Sequence, residues 1–246
     1  GHSCASDNTG SLVMRWLLLG LVGAAVFIYG RISGDVQLSL LSKGIPVIAL
    51  LLWLRQAPAG TYRRWIGIGL LCSLLGDILL DWPQDLFVFG LGAFLLAHLA
   101  YLYAYCSDSR RLALPALLLA LLAGATMFAV LASGGLGSLL IPVACYAMAI
   151  CLMLWRALAR LGQPGLQTRS AWLAVGGATL FMLSDSLIGI DRFVVSFDAA
   201  PYAIILTYWL GQWGIAASAF ERTKTQQAID TPARQRESPD GRRALG

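Results

Sequence analysis

The run from Leu112 to Trp155 contains no Asp, Glu, Lys or Arg. It is too long for one crossing of a bilayer, which takes about 20 apolar residues. The run is interrupted once, by Ser133-Gly134-Gly135-Leu136-Gly137. Because Gly-rich clusters between apolar segments are typical of turns, the run predicts two membrane-spanning helices joined by a tight turn. A chain that contains such a run is predicted to fold within a lipid bilayer.

The rest of the chain has the same character. Hydrophobic residues make up 58% of the sequence and charged residues only 13%, against about 25% charged residues in ordinary soluble domains. The fold class predicted is all-α, a polytopic membrane helical bundle of about eight transmembrane helices. The apolar segments are Trp16–Tyr29, Val36–Leu54, Trp65–Leu80, Leu86–Tyr105, Leu112–Ala132, Leu136–Trp155, Ser170–Ile190 and Pro201–Phe220.

Basic residues alternate between the two sets of loops. They gather before the first span, after spans two, four and six, and in the C-terminal tail, whereas the opposite loops hold only Arg31 and Arg192. Cytoplasmic loops carry an excess of Lys and Arg, so both termini are predicted to be cytoplasmic. We expect an integral multi-pass protein of a bacterial inner membrane. The formal charge of +5 is assigned to this loop pattern, and no nucleic-acid partner is expected.

Three segments are expected along the chain. Residues 1–13 are polar and resemble an expression remnant or a disordered N-terminus, and they include His2 and Cys4. Residues 14–220 form the eight-span transmembrane domain. Residues 221–246 are polar, contain two prolines, and are predicted to be a disordered cytoplasmic tail.

A weak internal repeat is visible. Leu75–Asp81 resembles Leu183–Asp191, each ends a predicted span, and each is followed by a Phe-Val pair. These similarities favour a 4+4 parallel internal repeat, an arrangement known among membrane proteins. Chance similarity between apolar segments is the alternative.

Four ionisable residues lie inside predicted spans: Lys43, Asp77, His98 and Asp185. Such residues are costly in a membrane and are functional candidates by default. Asp77 and Asp185 are predicted at similar depth in spans that run the same way. If these spans are neighbours, burial and mutual repulsion favour a proton on one carboxyl while the other stays ionised, as general acid–base catalysis requires. The alternative is a structural role in which each Asp pairs with Lys43 or Arg192.

Other polar side chains are predicted to converge on the same cavity. The candidates for substrate binding are Lys43, His98, Tyr101, Tyr146, Arg192, Tyr208 and Gln212, with Asp81 and Ser184 supporting the two candidate catalytic carboxyls. With one usable histidine and no cysteine pair, a zinc site is poorly supported. No metal and no cofactor are expected, and the five cysteines are predicted to be packed thiols.

The polar residues fall in motifs that resemble the YhhN family. They are Lys43-Gly44-Ile45-Pro46, Gly76-Asp77-Ile78-Leu79-Leu80, the stripe of Phe89-Gly90, Phe94, His98 and Tyr101, then Gly177, Phe181, Ser184-Asp185, Arg192-Phe193, Tyr208 and Gln212. The resemblance runs from about Ser42 to Gln212. Gly44 is a departure, since proline is expected there.

This resemblance implies an integral-membrane lysoplasmalogenase. Its substrate would be a lysophospholipid with a vinyl ether bond, and its products a fatty aldehyde and glycerophosphoethanolamine or glycerophosphocholine. The resemblance also implies that Asp77 and Asp185 are the catalytic residues. Protonation of an alkene carbon gives an oxocarbenium ion, and paired carboxyl groups handle such an ion in glycoside hydrolysis. From the residues alone, a proton-coupled membrane transporter or a lipid-binding membrane scaffold remains an alternative.

Overall fold

The computed structural model describes residues 4–225, with side chains from residue 14 onward. This part of the chain is helical and contains no β-strand, apart from an isolated bridge between Leu166 and Thr223. A 3₁₀ turn at Gly137–Leu139 precedes α7, and a π-helical turn at Ile190–Val194 extends α8. The helices are α1 Cys4–Ser33, α2 Val36–Lys43, α3 Ile45–Leu54, α4 Thr61–Asp81, α5 Phe87–Asp108, α6 Leu114–Ser133, α7 Leu140–Ala159, α8 Thr168–Gly189 and α9 Ala200–Ala217.

The starts of four helices follow from their sequences. The side chain of Asp35 accepts a hydrogen bond from the backbone N–H of Leu38 (3.0 Å) and caps α2. Helices α3, α6 and α9 each carry a proline in the first turn: Pro46, Pro115 and Pro201. Proline suits that position because its missing N–H would have no partner within the helix.

The second predicted span, Val36–Leu54, is not one continuous helix. It is divided at Gly44 into α2 and α3. Pro46 has no N–H to continue the hydrogen-bond pattern of α2, and a Cβ at Gly44 would lie 2.7 Å from Cδ1 of Leu74 on α4. The division leaves Lys43 at the C-terminal end of α2.

The turn predicted between the fifth and sixth spans is confirmed. Helix α6 ends at Ser133, and Gly135 and Gly137 have φ angles of 84° and 56°, which glycine adopts without strain. A Cβ at Gly134 would lie 1.9 Å from the carbonyl oxygen of Phe193. The turn therefore packs directly on the π-helical turn that follows α8.

Six of the helical segments are long and apolar enough to cross a membrane. They are α1 from Met14, α2 with α3, α5, α6, α7 with its 3₁₀ turn, and α8 with its π-helical turn. The fold is therefore that of an all-helical, multi-pass membrane protein. Helix α4 carries Arg63, Arg64, Asp77 and Asp81, and α9 carries several aromatic and polar residues, so these two helices are less apolar.

Helices α4 and α5 form one close antiparallel pair, and α8 and α9 form another. In the second pair, a Cβ at Gly177 would lie 2.7 Å from the carbonyl oxygen of Gly211. Small residues at helix interfaces in membranes allow backbones to approach in this way. Helices α4 and α8 are not direct neighbours: α4 packs on α5 and α3, and α8 packs on α9 and α7.

A buried ionic cluster lies at the other end of the bundle from Asp77 and Asp185. It joins the start of α4, the end of α5 and the start of α8. Arg160 is fully buried and forms an ion pair with Asp108 at 3.0 Å, and Arg222 pairs with the same carboxylate. Arg160 also donates to Ser170 at the start of α8 (3.0 Å) and lies over the ring of Tyr62 of α4. Arg222 stands at the start of the predicted tail and is held at the end of α5, while the disorder of the tail stays a prediction.

The two terminal segments, residues 1–13 and 221–246, were predicted to lie outside the membrane domain. Helix α1 begins at Cys4, so the backbone of residues 4–13 is helical, while their origin as an expression remnant stays a prediction. The predicted disorder of residues 226–246 lies outside the described residues.

Candidate active site

Asp185 lies in the last two turns of α8 and is contacted by side chains from two other helices. Its Oδ2 accepts a hydrogen bond from the hydroxyl of Tyr146 on α7 (2.7 Å) and lies 3.1 Å from Nε2 of His98 on α5. The Asp185 side chain is only 8% exposed. The carboxyl group is therefore held by one phenol and one imidazole.

His98 is completely buried, so every neighbour of its ring comes from the protein. Nε2 lies near two oxygens, of Tyr146 (2.8 Å) and Asp185 (3.1 Å), whereas Nδ1 lies 3.3 Å from the thioether of Met153. A thioether is only a weak acceptor. We therefore assign the ring proton to Nε2, which faces the stronger oxygen acceptors. Asp185 and His98 can share a proton in this geometry.

Asp77 lies in the last two turns of α4 and is 2% exposed. Its Oδ2 accepts a hydrogen bond from the hydroxyl of Tyr208 on α9 (2.8 Å). Asp77 and Asp185 thus lie in two separate polar clusters.

Tyr101 and Gln212 form a third buried contact. The Tyr101 hydroxyl donates to Oε1 of Gln212 (2.6 Å) and lies 3.5 Å from Oγ of Ser73. Nε2 of Gln212 has no hydrogen-bond partner among the described residues. These groups lie one turn of α5 and of α9 away from His98 and Tyr208, so they extend the two clusters toward the middle of the bundle.

The two cationic side chains near the site pair with other carboxylates. Lys43 pairs with Asp81 (3.0 Å), and Arg192 pairs with Asp85 (3.3 Å). Within the described part of the chain, no Lys or Arg lies within ion-pair distance of Asp77 or Asp185. Neither basic residue therefore forms a direct ion pair with a candidate carboxyl group.

Ser184 was expected to support Asp185. Its hydroxyl instead donates to the carbonyl oxygen of Ile204 on α9 (3.0 Å). The single hydroxyl proton is thus used to join α8 to α9, and Ser184 supports the helix pair rather than the carboxyl group.

An apolar cleft opens beside Asp185. It is small, with a volume of about 40 Å³, and Asp185 and Tyr146 are the polar residues in its wall. The remaining lining residues are apolar: Leu80, Phe87, Leu91, Phe94, Met127, Leu131, Val143, Ile188, Gly189 and Phe193. The cleft is therefore an apolar space that ends at the Asp185 carboxyl group.

Asp77 does not line this cleft. Phe94, which does, packs on the backbone of Gly76 and on the ring of Tyr208, with ring centroids 5.8 Å apart. The phenyl ring therefore separates Asp77 from the cleft. Of the residues predicted to share one cavity, Asp185 lines this cleft, whereas Asp77, Lys43, His98, Tyr208 and Gln212 do not. That both carboxyl groups face one shared cavity stays a prediction.

The sequence analysis did not single out the aliphatic wall of the cleft. Met127 and Leu131 lie on α6, which has no charged residue to draw attention to it. Their spacing of four residues places them on one face of the helix, but any apolar helix shows such pairs. Only the packing of α6 on the end of α8 distinguishes this face.

The residues that the structure describes contain no group of three or more His, Cys, Asp or Glu side chains that could hold a metal ion.

The helices and the buried carboxyl groups define a multi-pass membrane protein with a polar site enclosed at one end of its bundle. The chain matches the YhhN family over residues 38–219 and belongs to that family. It is 35% identical over 212 residues to lysoplasmalogenase TMEM86B of Homo sapiens, covering 84% of this chain and 87% of the human protein.

Two further relatives carry the same description. The chain is 33% identical over 229 residues to a lysoplasmalogenase of Mycobacterium bovis, covering 83% of each protein. It is 34% identical over 196 residues to lysoplasmalogenase TMEM86A of Bos taurus, covering 77% of this chain and 81% of the bovine protein. No solved structure matches the chain.

Proposed function

We propose that this protein is a lysoplasmalogenase, a membrane ether hydrolase that cleaves the vinyl ether bond of lysoplasmalogens. The products are a fatty aldehyde and glycerophosphoethanolamine or glycerophosphocholine. The similarity to lysoplasmalogenases supports the activity. The observation that carries the proposal in the structure is Asp185, a buried carboxyl group hydrogen-bonded to His98 and Tyr146 at the wall of an apolar cleft.

In the proposed reaction, Asp185 acts directly on the substrate. Its carboxyl proton is transferred to the alkene carbon next to the alkyl chain, and the other alkene carbon becomes part of an oxocarbenium ion. Water adds to that carbon while the Asp185 carboxylate takes up its proton. The hemiacetal then collapses to the aldehyde and the glycerol hydroxyl. One water is consumed, and His98 and Tyr146 stabilise whichever form of the carboxyl group is present.

Asp77 is proposed as the second carboxyl group of the catalytic pair. It has no Lys or Arg within ion-pair distance, and Phe94 separates it from the cleft. A negative charge behind this apolar wall stabilises a cation in the cleft, because little solvent screens the interaction. Tyr208 fixes the position of the carboxylate.

The phosphate of the headgroup is proposed to bind Arg192. The guanidinium lies 3.8 Å from the ring centroid of Phe87, which lines the cleft. Its partner Asp85 is 74% exposed, and such an exposed ion pair contributes little stability. A phosphate can therefore replace Asp85 and gain bidentate hydrogen bonds. Lys43, Tyr101, Tyr208 and Gln212 are proposed to shape the deeper polar part of the site.

Eight spans with both termini in the cytoplasm of a bacterial cell are proposed, with residues 14–220 as the membrane domain. The antiparallel packing of α4 on α5 and of α8 on α9 supports inclusion of α4 and α9. Single cysteines introduced at Arg64 and Gln84, at opposite ends of α4, should be labelled from opposite sides of the membrane. Labelling from the same side would contradict the topology.

A parallel repeat of four spans is also proposed. The close pairs α4–α5 and α8–α9 occupy equivalent places in the two halves, as do α1 with α2 and α3, and α6 with α7. The cross-half contacts α5–α7 and α9–α3 correspond in the same way. Asp77 and Asp185 then hold equivalent positions.

The activity is tested with purified protein in liposomes. Lysoplasmenylethanolamine and lysoplasmenylcholine should each release a fatty aldehyde, whereas an ester lysophospholipid should release no fatty acid. Fatty acid release from the ester without aldehyde from the vinyl ethers would refute the proposed function.

A further inference from the structure

A second groove lies on the outer side of the bundle, between α6 and α8. Its volume is about 310 Å³. Helix α6 packs closely on α7 and on the turn after α8 but only sparsely on α8 itself. The groove lies where these two helices separate. Its lining residues are Ala123, Thr126, Met127, Val130, Leu131, Thr179, Met182, Leu183, Ser186 and Ile190.

The wall of the groove behaves as an apolar surface. The hydroxyls of Thr126, Thr179 and Ser186 each donate to a carbonyl oxygen one turn earlier in their own helix, at 2.8 Å in every case. Polar groups that face hydrocarbon must be satisfied internally, and these three are. In a bilayer, such a groove is filled by a hydrocarbon chain.

The groove and the acidic cleft share a wall. Met127 and Leu131 line both spaces. On α8, Ser186 faces the groove and its neighbour Asp185 faces the cleft. A Cβ at Gly189 would lie 2.4 Å from Cδ2 of Leu131. The Leu131 side chain therefore packs directly on the backbone of Gly189. Only two flexible aliphatic side chains, those of Met127 and Leu131, separate the bilayer from the Asp185 carboxyl group.

We propose that this groove is the lateral access route by which the single hydrocarbon chain of the lysolipid passes from the bilayer into the cleft, with Met127 and Leu131 as the gate. This inference rests on the proposed function and adds the path of the substrate. Met127 and Leu131 are buried, at 6% and 5% exposure, so opening the route requires both side chains to change rotamer, and the hydroxyls on the wall need no partner from the lipid.

Tryptophan substitutions test the route. Val130→Trp and Thr179→Trp fill the groove, and Ala129→Trp places the same side chain at the same depth on an exposed position of α6 that does not line it. Two vinyl ether substrates are compared: a long-chain lysoplasmalogen in liposomes and a short-chain, water-soluble analogue. Steric misfit in an apolar site typically costs about 10–200-fold in kcat/KM.

The groove variants should lose about tenfold or more in kcat/KM on the long-chain substrate and keep their activity on the soluble analogue, while Ala129→Trp keeps both. Unchanged long-chain activity in the groove variants would show that the groove holds only annular lipid. Equal loss on both substrates would also overturn the route. Failure of the wild-type protein on both substrates would instead refute the proposed function.

A second measurement does not depend on turnover or on variants. A saturated-ether lysolipid with a diazirine near the end of its chain is photolysed with wild-type protein in liposomes, with and without excess unlabelled lysolipid. Competable adducts should map to residues of the groove and cleft. Competable adducts confined to other faces of the bundle would overturn the proposal.

Discussion

Asp185→Asn isolates the chemistry of the carboxyl group from its shape. Asparagine keeps the volume of the side chain and one acceptor oxygen, so Tyr146 can still donate its hydroxyl. The amide cannot carry or accept the catalytic proton. We therefore expect folded protein with a large loss in kcat.

The size of the loss follows from the role of the group. General acid–base assistance is worth about 10²–10⁴-fold in rate, which corresponds to about 2.7–5.4 kcal/mol of transition-state stabilisation. The effect on folding is smaller. A buried hydrogen bond between neutral groups contributes about 0.5–1.5 kcal/mol, and the amide oxygen can keep the one that Tyr146 donates.

The assay is aldehyde release from lysoplasmenylethanolamine in liposomes, with kcat and KM measured separately. KM should change little, because the cleft and the headgroup contact are untouched. Asp198→Asn is the matched control, since Asp198 is an exposed carboxylate that does not line the cleft. Wild-type kcat in Asp185→Asn, with a well-folded protein, would refute the assignment of Asp185 as the proton donor.

Three further changes probe other parts of the molecule. Asp77→Asn should lower kcat by about 10²-fold, because it removes a charge that stabilises the cation without touching the alkene; a loss larger than that of Asp185→Asn would reverse the proposed roles. Arg192→Gln should raise KM and leave kcat nearly unchanged, and a matched Asp85→Asn should not raise it, as measured by the same aldehyde assay. Arg160→Met should lower the free energy of unfolding by about 3 kcal/mol, because it leaves Asp108 buried with Arg222 alone; an unchanged thermal unfolding temperature in detergent would contradict this.

The sequence predicted the helical segments well because each apolar run had to match the thickness of a bilayer. The turn at Gly134–Gly137 was equally visible, since glycine is the residue that adopts positive φ without strain. The docking of Arg222 was not predictable. Its partner Asp108 lies 114 residues earlier in the chain, and the composition of the tail indicates only that it is polar.

The sequence also identified which residue types matter at the site, because buried charge is costly wherever it occurs. The pairing of those residues could not be predicted. Lys43 meets Asp81 and not Asp77, and the choice depends on the bend at Gly44. Asp77 is hidden by Phe94 because α5 can approach α4 at Gly76. Such contacts depend on how each helix is rotated about its axis and on how closely it packs on its neighbours. The polar motifs predict neither quantity.

The proposed repeat explains why two similar carboxyl groups can take different parts in one reaction. Each is bound by a residue from the other half: Tyr208 of α9 holds Asp77, and His98 of α5 holds Asp185. Equivalent positions therefore carry a phenol in one case and an imidazole in the other. Asp185 alone has an imidazole partner and lines the cleft. Under the proposed repeat, this difference in partner and surroundings is what makes the two carboxyl groups unequal.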